Sequence, residues 1–217
     1  MIEVAILNTD GQEVGKFPVD EALLGTTVRP ALLKQALVRH QANQRQGTVR
    51  TRTRAEIAGS TKKLYAQKGT GNARRGTIRT NLMKGGGMAF AKRPREFRQD
   101  MPLKQRRLAK ANAILAKILS NNLKVLDSFA VAAVKTQAVV KVLKNLNAER
   151  SVLIATNGLD RNLWLSSRNI TKAAIKPAAE INANDVLSKR TMIITKEAFE
   201  SVLKTCKPSK VKKVEES

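Results

Sequence analysis

The sequence has little of what most catalytic and metal sites require. Its 217 residues include one cysteine, Cys206, and one histidine, His40, and aromatic residues make up 3% of the total. A single cysteine excludes an intrachain disulfide framework and a cysteine-rich zinc site. No run of about 18 apolar residues is present to span a membrane, and residues 1–7 lack the features of a secretory signal. We therefore predict a soluble intracellular protein.

Acidic residues are scarce as well. There are 17 Asp and Glu against 41 Lys and Arg, which gives a formal net charge of +24. This imbalance predicts a polyanionic partner, with nucleic acid as the first candidate and an anionic membrane surface as the second. The hydrophobic fraction of 42% excludes a wholly disordered chain and is enough for one domain with a sizeable core.

Motifs for catalysis and nucleotide binding are incomplete. His40 and Cys206 have no recognisable partner for nucleophilic catalysis. Gly69-Thr70-Gly71 lacks the third glycine of the dinucleotide fingerprint and does not follow a strand, and Gly85-Gly86-Gly87 is not followed by the Lys-Ser/Thr of a P-loop. We predict no catalytic residue, no metal and no cofactor.

The positive charge is concentrated in one segment. Residues 43–107 contain 18 Lys and Arg, three acidic residues and eight of the twelve glycines. Like charges at this density repel one another, and few large apolar side chains offset the ordering entropy. We therefore expect this segment to be largely unstructured alone in water and to become ordered on a polyanion.

Helices are predicted on both sides of this segment. Residues 30–43 carry apolar residues at helical spacing, and Pro30 occupies a permitted early position. Pro102 opens a second helix, which Asn121 and Asn122 end. The apolar stripe of this second helix is predicted to consist of Leu108, Ala111, Leu115, Ile118 and Leu119.

The rest of the chain alternates between strand and helix patterns. Strands are predicted at residues 2–7, 13–17, 124–126, 152–155, 173–175 and 192–195, and helices at 137–146, 159–167, 185–189 and 198–204. This order predicts a three-layer α/β/α domain with a mainly parallel sheet, plus a long basic extended loop inserted between two core helices. We assign residues 1–44 and 102–205 to one globular domain, 45–101 to the loop and 206–217 to a frayed tail.

The pattern of the basic segment favours RNA. In an extended chain Arg50, Arg52 and Arg54 would lie on one side at a spacing of about 6.6 Å, a row that suits a phosphate backbone. Glycines such as Gly69, Gly71 and Gly76 let backbone amides approach phosphate or ribose. A long arm without a recognition-helix pattern suits folded RNA better than the regular major groove of DNA.

Three aromatic residues lie in the segment, Tyr65, Phe90 and Phe97, and any of them could stack on an unpaired base. For Tyr65 we favour an exposed role. For Phe90, which is near Met88, we favour packing against the core.

Five stretches form a recognisable series. They are Arg45-Gln46-Gly47-Thr48, Thr53-Arg54-Ala55-Glu56-Ile57-Ala58-Gly59-Ser60-Thr61-Lys62-Lys63, Gln67-Lys68-Gly69-Thr70-Gly71-Asn72-Ala73-Arg74, Gly85-Gly86-Gly87-Met88-Ala89-Phe90 and Arg93-Pro94-Arg95. The series closely resembles the fourth large-subunit ribosomal protein family in its bacterial-type form. Leu64 and Asn72 depart from the family pattern, in which a proline and a basic residue are common at these positions.

The resemblance implies a structural protein of the large ribosomal subunit that binds rRNA early in assembly, and we favour a cytoplasmic ribosome over an organellar one. Its loop would contact several rRNA domains and form part of the wall of the polypeptide exit tunnel. The implied partners are large-subunit rRNA, neighbouring large-subunit proteins including the other protein with a tunnel loop, and the nascent polypeptide. Neither a membrane nor a second copy of the chain is implied.

Site residues follow from the same resemblance. The residues implied to bind rRNA are all basic: Arg45, Arg50, Arg52, Arg54, Lys62, Lys63, Lys68, Arg74, Arg75, Arg79, Lys84, Lys92, Arg93, Arg95 and Arg98. The tip of the tunnel loop is implied to comprise Lys62, Lys63, Leu64, Tyr65, Gln67, Lys68, Gly69, Thr70 and Gly71. Two other hypotheses stay open from the residues alone, an RNA-modifying enzyme with a basic arm and a free RNA chaperone.

Overall fold

The computed structural model describes residues 2–131, 133–148 and 150–206. The chain divides into two compact units. We call the first the body; its described part comprises residues 2–41, 100–131, 133–148 and 150–206. The second is Ala42–Gln99, which we call the insertion.

The body is built on one sheet of six strands. The strands are β1 (Ile2–Leu7), β2 (Glu13–Val19), β3 (Leu123–Leu126), β4 (Val152–Thr156), β5 (Ala173–Pro177) and β6 (Thr191–Thr195). Their order across the sheet is β2-β1-β3-β6-β4-β5. The β1–β2 pair is antiparallel and the other four pairs are parallel. The predicted α/β class with a mainly parallel sheet is therefore confirmed.

Seven helices accompany the sheet in the described part of the chain. They are α1 (Glu21–Leu24), α2 (Pro30–Asn43), α3 (Leu103–Leu119), α4 (Thr136–Asn145), α5 (Arg161–Ser167), α6 (Ala183–Ser188) and α7 (Lys196–Cys206), with a 3-10 turn at Ala178–Glu180. The sequence patterns predicted every strand and helix except α1 and the 3-10 turn, with ends within two residues of those observed. Both omissions are single turns, too short to show apolar periodicity. None of the described helices is long and apolar enough to cross a membrane.

Successive residues of the central strands point into two separate hydrophobic cores. Val125 and Ile194 pack in the core that α1, α2, α3, α6 and α7 share. Leu126 and Ile193, their neighbours along the chain, pack in the core formed with α4 and α5. Because side chains alternate between the faces of a strand, these cores lie on opposite faces of the sheet. The body is thus the three-layer arrangement that the sequence predicted.

Helix α3 buries more of its surface than the predicted stripe. Ala109, Ala113 and Ile114 are fully buried beside the expected stripe residues, because α3 contacts α1, α6 and α7 as well as β3. Leu119, predicted to be part of the stripe, is 61% exposed. Ile118 takes the inward position at this end, and the next residue of a helix lies about 100° further around its axis.

A buried asparagine joins α3 to the connection between α1 and α2. The side-chain amide of Asn112 is fully buried and donates to the carbonyl of Leu24 at 2.9 Å. Its oxygen accepts from the amide of Arg29 at 3.0 Å. Gly25 lies so close that a Cβ there would be 2.9 Å from the Asn112 amide nitrogen. Asn112 therefore satisfies one backbone carbonyl at the end of α1 and one backbone amide just before α2.

The prediction for Cys206 is wrong. This residue was expected to begin the frayed tail, but it is the last residue of α7 and only 5% exposed. It packs in the core that α7 shares with α3, and burial raises the pKa of its thiol. The remainder of the predicted tail, residues 207–217, lies outside the described residues.

Candidate nucleic-acid interface

The insertion consists of two legs and a tip, joined by hydrogen bonds rather than by regular secondary structure. Residues 44–102, all of which the structure describes, contain no helix or named strand. The legs, residues 47–53 and 87–95, bond to each other at several points. The amide of Arg95 donates to the carbonyl of Gly47 at 3.1 Å, that of Thr51 to Lys92 at 2.9 Å, and that of Met88 to Arg52 at 3.0 Å.

The first leg carries the row of arginines that the sequence predicted. Thr51 and Thr53 are partly buried, whereas Arg50, Arg52 and Arg54 are exposed. The threonines therefore face the other leg and the arginines face outward. The regular alternation ends at Thr53, whose carbonyl accepts from the amide of Glu56 at 3.0 Å and closes a turn.

Glu56 holds the start of this turn. Its carboxylate accepts from the Thr53 amide at 3.2 Å and lies 3.1 Å from a guanidinium nitrogen of Arg50. These hydrogen bonds, from Thr53 first and Arg50 second, hold the pKa of the Glu56 carboxyl below its usual value. One of the three arginines in the row is thus partly neutralised within the protein.

The tip is a closed loop. Lys63 and Thr77 form an isolated antiparallel bridge, and the amide of Leu64 donates to the carbonyl of Gly76 at 3.0 Å. The Lys63 ammonium crosses the loop to the carbonyl of Arg75 at 3.1 Å. Gly69 and Gly71 adopt positive φ values of 86° and 68°, which explains glycine at these two bends.

Tyr65 closes the loop from within. Its hydroxyl donates to the carbonyl of Ala73, and its ring is partly buried. The exposed role that the sequence favoured for Tyr65 is therefore corrected to a structural one. The other predicted tip residues are all exposed: Lys62, Lys63, Leu64, Gln67, Lys68, Gly69, Thr70 and Gly71.

The ring of Phe97 lies against the guanidinium groups of two arginines at the base of the legs. The guanidinium carbon of Arg45 lies 3.8 Å from the centroid of its ring, and that of Arg95 lies 4.4 Å away. Gly47 permits this approach, because a Cβ there would be 2.1 Å from the carbonyl oxygen of Arg95. Cation–π attraction thus holds both guanidinium groups beside Phe97. A cavity of about 560 Å³ lies here, with Lys92 and Arg93 also in its wall.

Phe90 does not pack against a core as the sequence favoured. Its side chain is fully exposed, at 103% relative exposure, and its φ is +49°. The backbone is left-handed at this residue, a conformation that non-glycine residues adopt rarely. Of the three aromatic residues in the insertion, Phe90 is thus the one whose ring is open to solvent.

The fifteen basic residues predicted to bind rRNA all lie in the insertion, beside only two acidic residues, Glu56 and Glu96. Fourteen of the fifteen are exposed. The other, Arg79, is partly buried, and its Nε is buried without a hydrogen-bond partner within the described residues. The insertion thus holds these cations in one segment, and nearly all of them are open to solvent.

The insertion has no apolar core. The only residue of the insertion that is buried is Gly87, where a Cβ would be 2.3 Å from the amide nitrogen of Arg54. Sequence reasoning treated the triple glycine as a failed P-loop and missed this close contact between the legs. It also missed the grouping around Phe97, because residues fifty positions apart in the chain give no local signal.

The chemistry available here is binding of anions. Guanidinium and ammonium groups bond phosphate oxygens directly, and exposed backbone amides of the glycines add further donors. Within residues 2–131, 133–148 and 150–206, no three His, Cys, Asp or Glu side chains come together as metal ligands.

Comparisons with known proteins show which family this chain resembles. The model of the ribosomal protein L4/L1 family matches residues 17–205. Large ribosomal subunit protein uL4 of Symbiobacterium thermophilum is 41% identical over 202 residues, covering 93% of this chain and 98% of the relative. The proteins of the same name from Rhodopirellula baltica and Brevibacillus brevis are 38% and 40% identical, cover 93% of this chain, and are themselves covered to 91% and 98%. The similarity therefore includes both the body and the insertion.

Proposed function

This chain belongs to the ribosomal protein L4/L1 family, and from that premise we propose that it is a structural, non-catalytic protein of the large ribosomal subunit in the cytoplasm. It binds the RNA of that subunit through the insertion. The observation that carries this proposal is the insertion itself, which has fifteen basic residues, two acidic residues and no buried apolar side chain.

The physical argument concerns charge and burial together. A polycation without an apolar core gains little from collapsing on itself, because its charges repel and its ordering entropy is not offset. Surrounding phosphates remove the repulsion and supply hydrogen-bond acceptors for arginine and lysine. The hydrogen bonds between the legs restrict the conformations of the free insertion, and this lowers the entropy cost of ordering it on RNA.

The tip is the part that reaches the exit tunnel. Its outer surface has Lys62, Lys68 and Arg74, with no acidic residue within 62–75. The bonds from Tyr65 and Lys63 across the loop give a compact end suited to a tunnel wall. In this position the tip meets the nascent polypeptide and the tunnel loop of a second ribosomal protein, while the legs contact several rRNA domains early in assembly.

The division of labour follows the chain. The body, which corresponds closely to the predicted globular domain of residues 1–44 and 102–205, serves as that domain, and the insertion, which corresponds closely to the predicted loop of residues 45–101, serves as the rRNA-binding and tunnel loop. The fifteen basic residues, from Arg45 to Arg98, neutralise phosphates along both legs and at the tip.

A salt titration tests the proposal. With a transcript of large-subunit rRNA, affinity measured by filter binding should fall steeply with salt, because each neutralised phosphate adds about 0.7–0.9 to the log–log slope. If about six phosphates are engaged, affinity falls by about a thousandfold between about 50 and 200 mM salt. A nearly flat dependence would contradict an interface dominated by phosphates.

Sedimentation of cell extracts distinguishes a ribosomal protein from a free RNA chaperone. The protein should stay with the large subunit at moderate salt. Its presence mainly in the light fractions would favour the chaperone. Thermal stabilisation by S-adenosylmethionine or a nucleotide would favour an RNA-modifying enzyme.

A further inference from the structure

The contacts of the residues just before Phe90 explain why this side chain is exposed. Gly87 packs directly on the other leg, where a Cβ would be 2.4 Å from Cα of Arg54 and 2.8 Å from the carbonyl carbon of Thr53. The amide of Met88 then donates to the carbonyl of Arg52 at 3.0 Å. These contacts fix the chain two residues before Phe90, where the backbone becomes left-handed. A non-glycine residue rarely adopts that conformation, so the outward ring is specified by the surrounding structure.

Phe90 is one of the residues that line an open surface cavity. The cavity has a volume of about 490 Å³, and its wall includes Phe90, Asn81, Arg54, Arg93 and the backbone of Gly87. No acidic side chain lines it. The volume falls within the range of about 300–1,000 Å³ typical of small-ligand sites. Both legs contribute, and the contact at Gly87 joins them.

The lining groups match the parts of a single nucleotide. An aromatic face accepts a base by stacking, and this stacking tolerates any base because each has a π face. An asparagine amide can pair with a base edge, and guanidinium groups bond the phosphates on either side. A protein partner would have to bring acidic groups to meet Arg54 and Arg93, whereas RNA supplies phosphates next to every base.

We infer that this cavity binds one unpaired base of the large-subunit RNA, stacked on Phe90 between Arg54 and Arg93. The inference rests on the proposed function and deepens it, because it names a position where the insertion contacts a base rather than phosphate alone. Phe90 acts here as a binding residue whose contribution is independent of charge.

The test compares three replacements of Phe90 in the full-length protein, with the rRNA transcript as the probe. Phe90→Trp keeps an aromatic face, Phe90→Leu keeps an apolar side chain without one, and Phe90→Ala removes both. We expect Phe90→Ala and Phe90→Leu to weaken binding by roughly 5- to 100-fold, the range for loss of one stacked base. Phe90→Trp should stay within about twofold of the unmodified protein, because tryptophan also stacks.

The salt slope separates stacking from charge. It should be unchanged in all three Phe90 variants, whereas Arg93→Gln should lower it by about 0.7–0.9. The matched control is Leu82→Ala, which removes another apolar side chain of the insertion that is 85% exposed and does not line the cavity. This control should bind as the unmodified protein does.

A fluorescence measurement gives a readout besides affinity. With Trp164→Phe as background, Phe90→Trp provides the only tryptophan, and stacking on a base should quench its emission when RNA is added. Absence of quenching, or Phe90→Leu binding as tightly as the unmodified protein, would overturn the inference. If the unmodified protein itself fails to bind the transcript, the proposed function fails instead. Thermal melting followed by circular dichroism should give the same Tm for all variants, because a fully exposed side chain contributes little to folding.

Discussion

The body and the insertion use opposite means to define their structure. All the buried hydrophobic side chains of the described chain lie in the body, and all of them except Met101 belong to the two cores on the faces of the sheet. The only buried residue of the insertion is Gly87, and the backbones of the two legs are in direct contact there. Apolar burial therefore stabilises the body without a partner, whereas the insertion has hydrogen bonds, turns, the Arg50–Glu56 ion pair and the cation–π contacts of Phe97 to oppose the repulsion of its charges.

The two regions also use their cations differently. In the body, the ammonium of Lys117 donates to the carbonyls of Lys189 and Arg190, at 2.6 and 2.9 Å. Lys124 donates to the carbonyl of Leu146, the residue that caps the C-terminal end of α4. Burial lowers the pKa of both lysines. These side chains serve the fold, whereas nearly all the cations of the insertion stand in solvent, where a polyanion can reach them.

The largest expected effect concerns the core. Phe199 is fully buried, and its ring centroid lies 5.3 Å from that of Phe17. Phe199→Ala should lower the free energy of unfolding by about 3–5 kcal/mol, because it leaves a cavity in the core of the body. Urea unfolding followed by circular dichroism measures the change. The matched variant in the insertion, Leu82→Ala, should change it by less than about 0.5 kcal/mol, and equal losses in the two variants would contradict the contrast.

The second effect concerns the tip. Residues 62–75 contain five Lys and Arg, so replacing them by a short Gly-Ser linker should lower the salt slope of rRNA binding by about 3.5–4.5. The unmodified protein would then lose a few hundredfold more affinity, roughly 130- to 500-fold, than the shortened one between about 50 and 200 mM salt. The cooperative melting of the body should persist.

Two outcomes would contradict that expectation. Loss of cooperative melting would show that the tip belongs to the folded core. A variant that keeps the tip but has glutamine at its five basic positions separates charge from loop shape, and it should show the same reduced slope. A slope equal to that of the unmodified protein would mean that the tip cations meet no phosphate.

A smaller effect is expected at Asn112. Asn112→Ala removes the partners of the Leu24 carbonyl and the Arg29 amide. Unfolding free energy should fall by about 1–3 kcal/mol, the cost of a buried group left without a hydrogen bond. The control is Asn145→Ala, whose side chain is exposed and makes only a long 3.4 Å bond to Thr9. If both variants melt alike, Asn112 does not join α3 to the α1–α2 connection in the way described.

The smallest effect is expected at Glu56. Glu56→Gln frees Arg50 and removes one carboxylate from the basic segment, so rRNA affinity should rise by no more than about fivefold at low salt. Because the pKa of Glu56 is lowered in the folded protein, its ion pair is present above the ordinary glutamate pKa and is lost as the pH falls through the lowered value. The difference between variant and unmodified protein should therefore disappear below that value. A gain in rRNA affinity that persists below that pH would exclude charge as its cause. Glu96→Gln, which removes the other carboxylate of the insertion, serves as the comparison.

Local signals explain what was predictable in the fold. Proline at the first position of α2 and the asparagines after α3 mark ends that depend on a few neighbouring residues. Strand patterns appear over a few residues and helix patterns over a few turns, so both can be read from a short stretch of sequence. The order of strands across the sheet, β2-β1-β3-β6-β4-β5, was not predicted, because pairing between distant strands depends on packing across the whole body.

The aromatic residues show the same limit at the candidate interface. From sequence, Tyr65, Phe90 and Phe97 were alike in type and in charged surroundings. The structure gives Tyr65 a bond across the tip, Phe97 two guanidinium neighbours, and Phe90 an open face. The environment of each ring depends on how the chain folds around it, and no spacing along the sequence encodes that.

The sequence by itself determined the fold class, the ends of the elements and the separation of a basic insertion from an apolar body. These properties follow from composition and from periodicity over a few residues, which act locally. Only the tertiary structure decided which side chains of the insertion are already engaged and which remain open, and that Asn112 lies buried between two helices. Such choices arise when distant segments meet, because hydrogen bonds and close packing require both partners in place.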